Sequence, residues 1–517
     1  MKLRLPLITA ASLATMLALA DTSPAQEHPA HGRKPAEAAA GKAVAAAGGE
    51  VAKPVGDSTT RHELQVGGHR LDYTATAGTL PLSGAKGEVT AHVFYTAYTS
   101  EAGDSDKGGG TRPVTFAFNG GPGAASAFLH LGALGPRVVP FDDKGALALM
   151  PVRLTDNPDT WLPFTDLVFV DPVSTGYSRA TGGDEEAKEK FYGVEKDAAS
   201  LTDFVRLYLA RSGRPTAPVV LVGESYGGFR VALLAKRLLK AGMDLRGVIM
   251  ISPAIEFFLV RGDKLMLLPN VMTLPSIAAA NAELSGAADL EKIVAEAEAF
   301  ARSRYLVHLA AGNKDDPEIN AELARLTGLS VEHIARHHGR VSVSDFRRSW
   351  LRSHDRLLSL YDGAVSIPVP RPAGDHHHTD PILDRATAVL TPAFVSYARA
   401  ELGYRSDLEY HLLNRGVGGK WDYGTSAARQ GFAGALDDLQ EARTLRPALK
   451  VLIAGGYTDM VTPFAASRFL VDQLDPIEGA APVEVKTYRG GHMMYLRAPS
   501  RQALAADARA MYAAALK

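Results

Sequence analysis

The stretch "VVLVGESYGGFRVALLAKRLL", from Val219 to Leu239, decides the fold that we expect for this chain. Its apolar beginning predicts a buried strand, and the run after the two glycines has helical spacing. Ser225 lies at the junction, flanked by Gly223 and Gly227. A G-x-S-x-G sequence between a strand and a helix is typical of a nucleophile elbow, a turn so sharp that the neighbours of the serine must be small. We therefore predict that Ser225 is an exposed nucleophile at the start of a helix.

Several other short apolar runs end in glycine-rich loops. They are "PVTFAFNGGPG", "TDLVFVDPVSTG", "LRGVIMISPA", "ALKVLIAGGYTD" and "PVEVKTYRGGH". Helical segments, such as 196–212 and 229–241, separate several of them, and this alternation predicts parallel strands with right-handed crossovers. Alternating polar and apolar residues in 62–80 and 85–99 predict antiparallel strands ahead of them. The pattern indicates an α/β fold with a central, mostly parallel sheet.

The strand runs stop between the two halves of this pattern. Segments such as "EINAELARLTGLSVEHIARHHG" and "VSDFRRSWLRSHDRLLSLYDG" have helical spacing instead. We predict that a sheet core built from residues 61–255 and 446–517 carries a helical lid, residues 256–445, over the end of the sheet that holds the site.

The first 60 residues are expected to lie outside the fold. Residues 1–20 join two basic residues to an apolar run that ends in Ala-Leu-Ala, the form of a cleaved signal peptide, and the run is short for a membrane span. Residues 21–60 are rich in Ala, Gly and Pro, which predicts a disordered linker. We expect a periplasmic or secreted protein that is not held in a membrane after cleavage.

Composition excludes some classes of partner. The 517 residues carry a formal net charge of −1, which offers no electrostatic reason for binding nucleic acid or an anionic membrane. The chain has no cysteine, and therefore no disulfide, although an exported protein could form them. The sequence leaves the oligomeric state open.

A serine nucleophile needs a base, and the base needs an acid to orient it. On an elbow-bearing sheet these follow in the order Ser, Asp, His. Asp459 and His492 each follow a late strand and a glycine turn, in that order. Taken singly, Asp459 could be a helix N-cap and His492 an ordinary loop histidine. Together with Ser225 they predict a catalytic triad.

An acyl-transfer site also needs donors for the oxyanion. One is expected to be the N–H of Tyr226, the residue after the nucleophile. The loop "FAFNGGPGAAS", residues 116–126, is the candidate for the other, because its glycines allow the backbone to approach a substrate closely. The competing interpretation is a plain Gly-Pro turn.

Six motifs in order resemble the serine carboxypeptidases, exopeptidases of the α/β-hydrolase fold: "NGGPG", "NPDTW", "VDPVSTGYS", "GESYGG", "GGYTD" and "GGHMM". The resemblance implies peptide substrates and a function for each of seven residues: Ser225 as nucleophile, His492 as base, Asp459 as orienting acid, Gly121 and Tyr226 as oxyanion donors, and Asn119 and Glu224 as the groups that recognise the terminal carboxylate. Because two adjacent carboxylates cannot both stay ionised, Glu224 would bind that carboxylate in its protonated form. The alternative is that Glu224 is a structural acid satisfied by backbone groups.

The chain departs from the family pattern in three places. Ala124 and Ala125 stand where many members carry cysteines, a difference that removes a disulfide and leaves the mechanism intact. Ala133 stands where many members carry a glutamate, and Ser174 stands where glycine is common. Three functions are therefore compared: an exported carboxypeptidase, an esterase or acyltransferase on the same fold, and an exported binding protein without turnover. The complete set of nucleophile, base, acid and oxyanion loop favours an enzyme.

No motif predicts a cofactor or a metal. The run His376–His378 is interpreted as a solvated loop, since adjacent histidines define no ligand geometry. His333 and His337 lie one helical turn apart, but without the H-E-x-x-H order, and are interpreted as a helix surface. The glycine-rich loops lack the Gly-Lys-Ser/Thr sequence of phosphate sites.

Overall fold

The fold is taken from a computed structural model. It describes residues 55–101, 112–142, 145, 152–260, 265–312, 314–369, 380–424 and 432–517. The signal peptide predicted at 1–20, most of the linker predicted at 21–60, and His376–His378 lie outside these residues.

The centre of the fold is a ten-stranded sheet with a smaller hairpin and a two-residue ladder beside it. The strands are β1 Ser58–Val66, β2 His69–Ser83, β3 Val89–Ser100, β4 Val114–Phe118, β5 Arg137–Val138, β6 Thr155–Asp156, β7 Asp166–Val170, β8 Arg179–Ala180, β9 Val219–Glu224, β10 Leu245–Ile251, β11 Arg356–Leu358, β12 Ser366–Pro368, β13 Lys450–Gly456 and β14 Val483–Tyr488. The order in the sheet is β1-β2-β3-β7-β4-β9-β10-β13-β14, and β8 pairs with β3. The sheet is antiparallel from β1 to β7 and parallel from β7 to β14.

The parallel strands are apolar along their whole length because both of their faces are buried. In β9, Val219 and Leu221 contribute to one hydrophobic core, and Val220 and Val222 contribute to the other. Each residue is fully buried, as expected for a strand covered on both sides by helices. The continuous apolar runs of the sequence are explained by this arrangement.

Helices cover both faces of the sheet. They are α1 Ala127–Leu129, α2 Gly183–Phe191, α3 Val194–Arg211, α4 Tyr226–Lys240, α5 Phe257–Val260, α6 Leu268–Leu284, α7 Leu290–Phe300, α8 Leu306–Ala310, α9 Pro317–Thr327, α10 Val331–Arg336, α11 Val343–His354, α12 Leu383–Ala400, α13 Arg415–Gly419, α14 Leu436–Leu445, α15 Phe464–Asp472 and α16 Ala498–Ala515. Two π-helical turns, His130–Leu134 and Ala301–Tyr305, and a 3₁₀ turn, Met494–Leu496, complete them. No helix in the described part of the chain combines the length and apolarity that a membrane span requires.

The region between β10 and β13 is mainly helical, with one departure from the expected pattern. The segment "VSDFRRSWLRSHDRLLSLYDG" has helical spacing throughout, yet α11 ends at His354 and residues 356–358 form β11, paired with β12. Asp355 adopts a left-handed conformation, with φ 51°, and ends the helix. The helical expectation was therefore wrong for the second half of this segment.

The start of the fold also differs from the boundary suggested by composition. Ser58, Thr59 and Thr60 fall within the predicted linker, but they belong to β1 and pair with residues 75–77 of β2. Threonine has a high strand propensity. The average composition of residues 21–60 is dominated by Ala and Gly and does not show the contribution of the two threonines at its end.

The chain order places a crevice between β4 and β9. From β4 the chain continues to β7 on one side, and from β9 it continues to β10 on the other side. In open α/β sheets, ligands bind at such a switch point, beyond the carboxyl ends of the strands. The loop after β4 begins at Asn119 and the loop after β9 holds Ser225, so two predicted site segments meet at this point.

Candidate active site

Ser225 occupies the sharp turn between β9 and α4. Its backbone has φ 59° and ψ −123°, a conformation that residues with a side chain rarely adopt. The turn is stabilised by backbone hydrogen bonds from the Ser225 amide to the Ile251 carbonyl (2.9 Å) and from the Gly228 amide to the Ser225 carbonyl (2.9 Å). A Cβ at Gly223 would collide with the carbonyl of Gly227, so the flanking glycines are required sterically.

The glycine loop after β4 packs directly on this turn. A Cβ at Gly120 would lie 2.5 Å from the Tyr226 amide nitrogen, and one at Gly227 would lie 2.5 Å from the Phe118 carbonyl oxygen. Gly121 has φ 98°, a conformation that glycine adopts without strain. Among the described residues, the amides of Gly121 and Tyr226 have no backbone acceptor. Both amides that the sequence predicts as oxyanion donors are therefore without a backbone acceptor.

Asp459 and His492 lie side by side at the ends of β13 and β14. The Nδ1 of His492 lies 2.8 Å from the Oδ2 of Asp459, and both side chains are buried. The Oδ1 of Asp459 accepts the amides of Val461 (2.8 Å) and Thr462 (2.9 Å). Oδ1 of Asp459 thus caps the following turn, and Oδ2 orients the imidazole of His492. The carboxylate therefore acts both as the N-cap and as the partner of His492, the two interpretations that the sequence offered.

Two residues that the sequence did not single out support this pair. The hydroxyl of Thr462 lies 2.8 Å from Asp459 Oδ2 and donates to the Ser252 carbonyl at 2.8 Å. Tyr361, from the region between β10 and β13, accepts the His492 amide at 2.5 Å and packs its ring edge-on against the imidazole, with 5.0 Å between centroids. Thr462 follows Asp459 by three residues, but neither residue type carries a sequence signal for this function.

The electrostatics of His492 suit a base that is held in one orientation. Burial by itself would lower its pKa, but the attraction and hydrogen bond of Asp459, together with the charges of Glu224 and Asp380, raise the pKa above its ordinary value. The Nε2 of His492 and the hydroxyl of Ser225 make no hydrogen bond with each other or with other described residues. In proteins without substrate, such catalytic hydrogen bonds are often long and form only in the complex.

Glu224 is buried immediately before the nucleophile and is held by two side chains. The amide of Asn119 donates to Oε2, and the hydroxyl of Tyr495 lies 2.9 Å from both carboxyl oxygens. Asn119 is itself oriented, because its Oδ1 accepts the Leu129 amide at 3.1 Å. The alternative of an acid satisfied by backbone groups is thus not what is seen: both partners are side chains. Tyr495 was not predicted, although it directly follows the motif "GGHMM".

Burial raises the pKa of Glu224 to about 7, and the positive charge of His492 and the hydrogen bonds of Tyr495 and Asn119 limit the rise. A carboxyl group with this pKa exists in both protonation states near neutral pH, and its protonated form can donate a hydrogen bond to a second carboxylate. The structure brings Asn119 and Glu224 into contact, and their function in carboxylate recognition stays a prediction.

A segment from the helical region is hydrogen-bonded to the loop after β4, which holds the predicted oxyanion donor Gly121. The Asn414 amide donates to the Gly123 carbonyl at 2.8 Å, and its side-chain amide donates to the Ser174 carbonyl at 3.0 Å. Farther along, the indole of Trp421 donates to the hydroxyl of Tyr226 at 3.1 Å. We call residues 410–424 the strap. It ties the loop after β4 to the loop after β7.

Two of the departures from the family pattern, Ser174 and Ala133, lie close to these loops. Ser174 has φ 70°, which explains why glycine is common at this position. Ala133 is buried in a π-helical turn, where its carbonyl accepts the side chain of Asn157 at 2.7 Å. Its methyl group offers no donor or charge to a substrate.

Comparisons with known proteins agree with this picture over part of the chain. The serine carboxypeptidase family model matches residues 71–258, which include Asn119 and Ser225. The serine carboxypeptidase-like protein 36 of Arabidopsis thaliana is 28% identical over 155 residues, a match that spans 29% of this chain and 30% of the plant protein. Asp459 and His492 lie outside the family match.

Solved structures are similar at low identity. A proline iminopeptidase from Mycobacterium smegmatis aligns with a TM-score of 0.36 and 15% identity, covering 85% of this chain and 99% of the other. A peroxisomal α/β-hydrolase from Saccharomyces cerevisiae aligns with a TM-score of 0.35 and 10% identity, covering 89% of each chain. The mostly parallel sheet and the elbow on β9 are those of an α/β hydrolase, and the match over residues 71–258 confirms the resemblance of this chain to the serine carboxypeptidases.

Proposed function

We propose that this protein is a serine hydrolase that removes C-terminal residues from peptides through an acyl-enzyme intermediate. The observation that supports this choice among hydrolases is the buried Glu224, next to the nucleophile, held by Asn119 and Tyr495 with a pKa of about 7. A free C-terminal carboxylate is the part of a peptide that such a group recognises.

In the proposed reaction, the hydroxyl oxygen of Ser225 attacks the carbonyl carbon of the last peptide bond while its proton passes to Nε2 of His492. Asp459 stabilises the imidazolium through its hydrogen bond to Nδ1. The amides of Gly121 and Tyr226 donate to the oxyanion. The C–N bond then breaks, and His492 transfers the proton to the leaving amine.

The second half of the reaction uses the same groups. Water attacks the acyl carbon, His492 takes its proton, and the bond to Ser225 breaks as the hydroxyl is restored. Because His492 must be neutral to accept a proton, both steps require a pH above its raised pKa.

Binding of the substrate's carboxylate has the opposite pH dependence. Protonated Glu224 donates to the carboxylate, and ionised Glu224 repels it. Peptide hydrolysis is therefore expected to decline as the pH rises through about 7, whereas hydrolysis of a neutral ester should not.

An esterase or acyltransferase is the second candidate, favoured by one observation. Ala133 occupies the position at which many relatives have a glutamate, and its methyl group adds nothing to carboxylate recognition. Without that glutamate, the site has one group fewer that selects for a free carboxylate, so substrates that lack one would compete better.

The experiment that separates the two compares blocked dipeptides as free acids, as C-terminal amides and as simple esters, with Ser225→Ala as the blank. The carboxypeptidase proposal expects the highest kcat/KM for free acids, with an alkaline decline that the esters lack. Preference for amides or esters would favour the second candidate. Failure of a fluorophosphonate to label Ser225 would contradict both and favour a binding protein.

We also propose that the protein is exported, with residues 1–20 as its signal peptide. The proposal rests on the basic start, the short apolar run and Ala-Leu-Ala at residues 18–20. Expression in a bacterium, followed by fractionation and N-terminal sequencing, tests it. A periplasmic or secreted product beginning near residue 21 is expected, and an intact Met1 in the cytoplasmic fraction would contradict it.

A further inference from the structure

A cluster of three potential metal ligands lies in the helical region, apart from the residues described above. His333 and His337 are one turn apart at the end of α10, and Asp345 is in the first turn of α11. One nitrogen from each histidine and one carboxylate oxygen all lie within 4.8 Å of one another. The sequence placed the two histidines on one helix face, but only the packing of α10 beside α11 adds a carboxylate.

The histidine nitrogens are arranged as they are in metal ligands. The Nδ1 of His337 lies 2.7 Å from the carbonyl oxygen of His333, so Nδ1 is the donor and Nε2 is the nitrogen that remains for a metal ion. In most histidines that bind a metal through one ring nitrogen, the other nitrogen donates a hydrogen bond of this kind, to a backbone carbonyl or a carboxylate, and this bond orients the ring. The imidazole of His337 is exposed, so an ion can reach it.

The second histidine has an unused nitrogen. The Nε2 of His333 is buried and has no hydrogen-bond partner among the residues that the structure describes. A buried polar atom without a partner is unusual in a folded protein, and such an atom can mark the binding site of an ion.

Asp345 supplies the negative charge. Its carboxylate accepts the hydroxyl of Ser342 at 2.6 Å and a guanidinium N–H of Arg348 at 3.0 Å. Each carboxylate oxygen keeps a further lone pair, since an ionised carboxylate has about four acceptor positions. Arg348 is exposed and is the cation that a metal would have to compete with for the carboxylate of Asp345, as far as the described ion pairs show.

We propose that His333, His337 and Asp345 bind a divalent transition-metal ion, Zn²⁺, that ties α10 to α11. Two imidazoles and a carboxylate are a common zinc ligand set, and water fills the fourth position. A tetrahedral ion with bonds of about 2.0–2.2 Å draws its ligand atoms together, so side-chain rotation must shorten the present separations. The proposal is independent of the hydrolase function.

The test is calorimetric titration of Zn²⁺ into the full chain with His376–His378 replaced by serine, so that the histidine run cannot bind the ion. One Zn²⁺ per chain is expected. His337→Ala and Asp345→Asn should each weaken binding at least about tenfold, the lower end of what even second-sphere changes produce. Arg348→Gln should strengthen it, because the competing cation is removed.

The matched control is His338→Asn, which alters the adjacent histidine at a left-handed position that asparagine tolerates (φ 52°). It should bind Zn²⁺ as the parent does. Co²⁺ provides a second readout, since tetrahedral nitrogen and oxygen ligation gives intense visible absorption bands that the His337→Ala protein should lack. The proposal is overturned if the serine-substituted parent takes up no Zn²⁺, or if His337→Ala and Asp345→Asn bind it as tightly as His338→Asn.

Discussion

Tyr495 holds Glu224 through both oxygens of its carboxyl group, with 2.9 Å from the tyrosine hydroxyl to Oε1 and to Oε2. This contact joins the loop after β14, which carries the proposed base His492, to the residue that precedes the proposed nucleophile Ser225. It stabilises the ionised form of Glu224 and so opposes the effect of burial on its pKa. The pH range of the proposed carboxylate recognition therefore depends on the hydroxyl of Tyr495, which contacts Glu224.

Replacing Tyr495 by phenylalanine should extend peptide hydrolysis to higher pH. Loss of the hydroxyl raises the pKa of Glu224 further, so the protonated form persists longer. A hydrogen bond to a charged group contributes about 1.5–3 kcal/mol, which corresponds to a shift of roughly one pH unit or more. The measurement is the pH profile of kcat/KM for a blocked dipeptide acid beside a neutral ester. An unchanged alkaline limb, or an equal shift for the ester, would contradict the prediction.

Glu224 should also make stability depend on pH. Its pKa in the folded protein, about 7, exceeds its ordinary value of 4.5. The stabilising contribution is complete below pH 4.5 and is lost as the pH rises through 7, by about 3 kcal/mol in total. Urea unfolding across this range should show a smaller loss for Glu224→Gln than for the wild type. Glu484→Gln, at an exposed position of β14, is the control and should follow the wild type.

Asp459→Asn should abolish most activity without unfolding the protein. An asparagine at this position can present its N–H₂ group to Nδ1 of His492, which favours the wrong imidazole tautomer, and kcat should fall by about 10⁴-fold, as in other triads. Circular dichroism and kcat for the most reactive ester provide the measurement. Asp472→Asn, at an exposed ion pair with Arg302, is the matched control. A loss of less than tenfold would rule out Asp459 as the orienting acid.

The backbone strain at Ser225 is predicted to lower the stability of the folded protein, although the activity requires this residue. Because φ is 59° and ψ is −123°, removal of Cβ relieves strain. Ser225→Gly should be more stable than Ser225→Ala by about 1–2 kcal/mol, and both should be inactive. Comparison of their unfolding free energies checks this. Equal stabilities would mean that the elbow is unstrained.

Asn414 is predicted to position the oxyanion loop. Its side-chain amide ties the strap to the Ser174 carbonyl, and its backbone amide holds the Gly123 carbonyl. Asn414→Ala should lower kcat by about tenfold with little change in KM, because a displaced donor weakens only the transition state. Arg415→Ala, which removes an exposed ion pair with Asp384, should leave both constants unchanged. A rise in KM alone would assign Asn414 to substrate binding instead.

Much of the site could be predicted because its signals are local. An apolar run that ends in a glycine turn precedes each of four site residues: Asn119, Ser225, Asp459 and His492. The elbow around Ser225 is encoded by five consecutive residues. The order Ser, Asp, His follows from the way in which the sheet is wound. The second half of "VSDFRRSWLRSHDRLLSLYDG" was interpreted wrongly, since Asp355 ends the helix through a conformation that no periodicity shows.

The supporting contacts had no such signal. Tyr495, Thr462 and Asn414 are ordinary residues in loops or short turns, and each acquires its function from a partner on another segment. Asp345 joins His333 and His337 only because α11 packs beside α10.

By itself, the sequence determined the order of strands and helices and the chemical types at the ends of the strands, because backbone turns and apolar periodicity are properties of neighbouring residues. Only the tertiary structure decided which side chains face one another across the crevice between β4 and β9, and thereby the protonation of Glu224 and His492. The shifts in these pKa values depend on burial and on charges and hydrogen bonds a few ångströms away, from residues 33 to 271 positions apart in the chain.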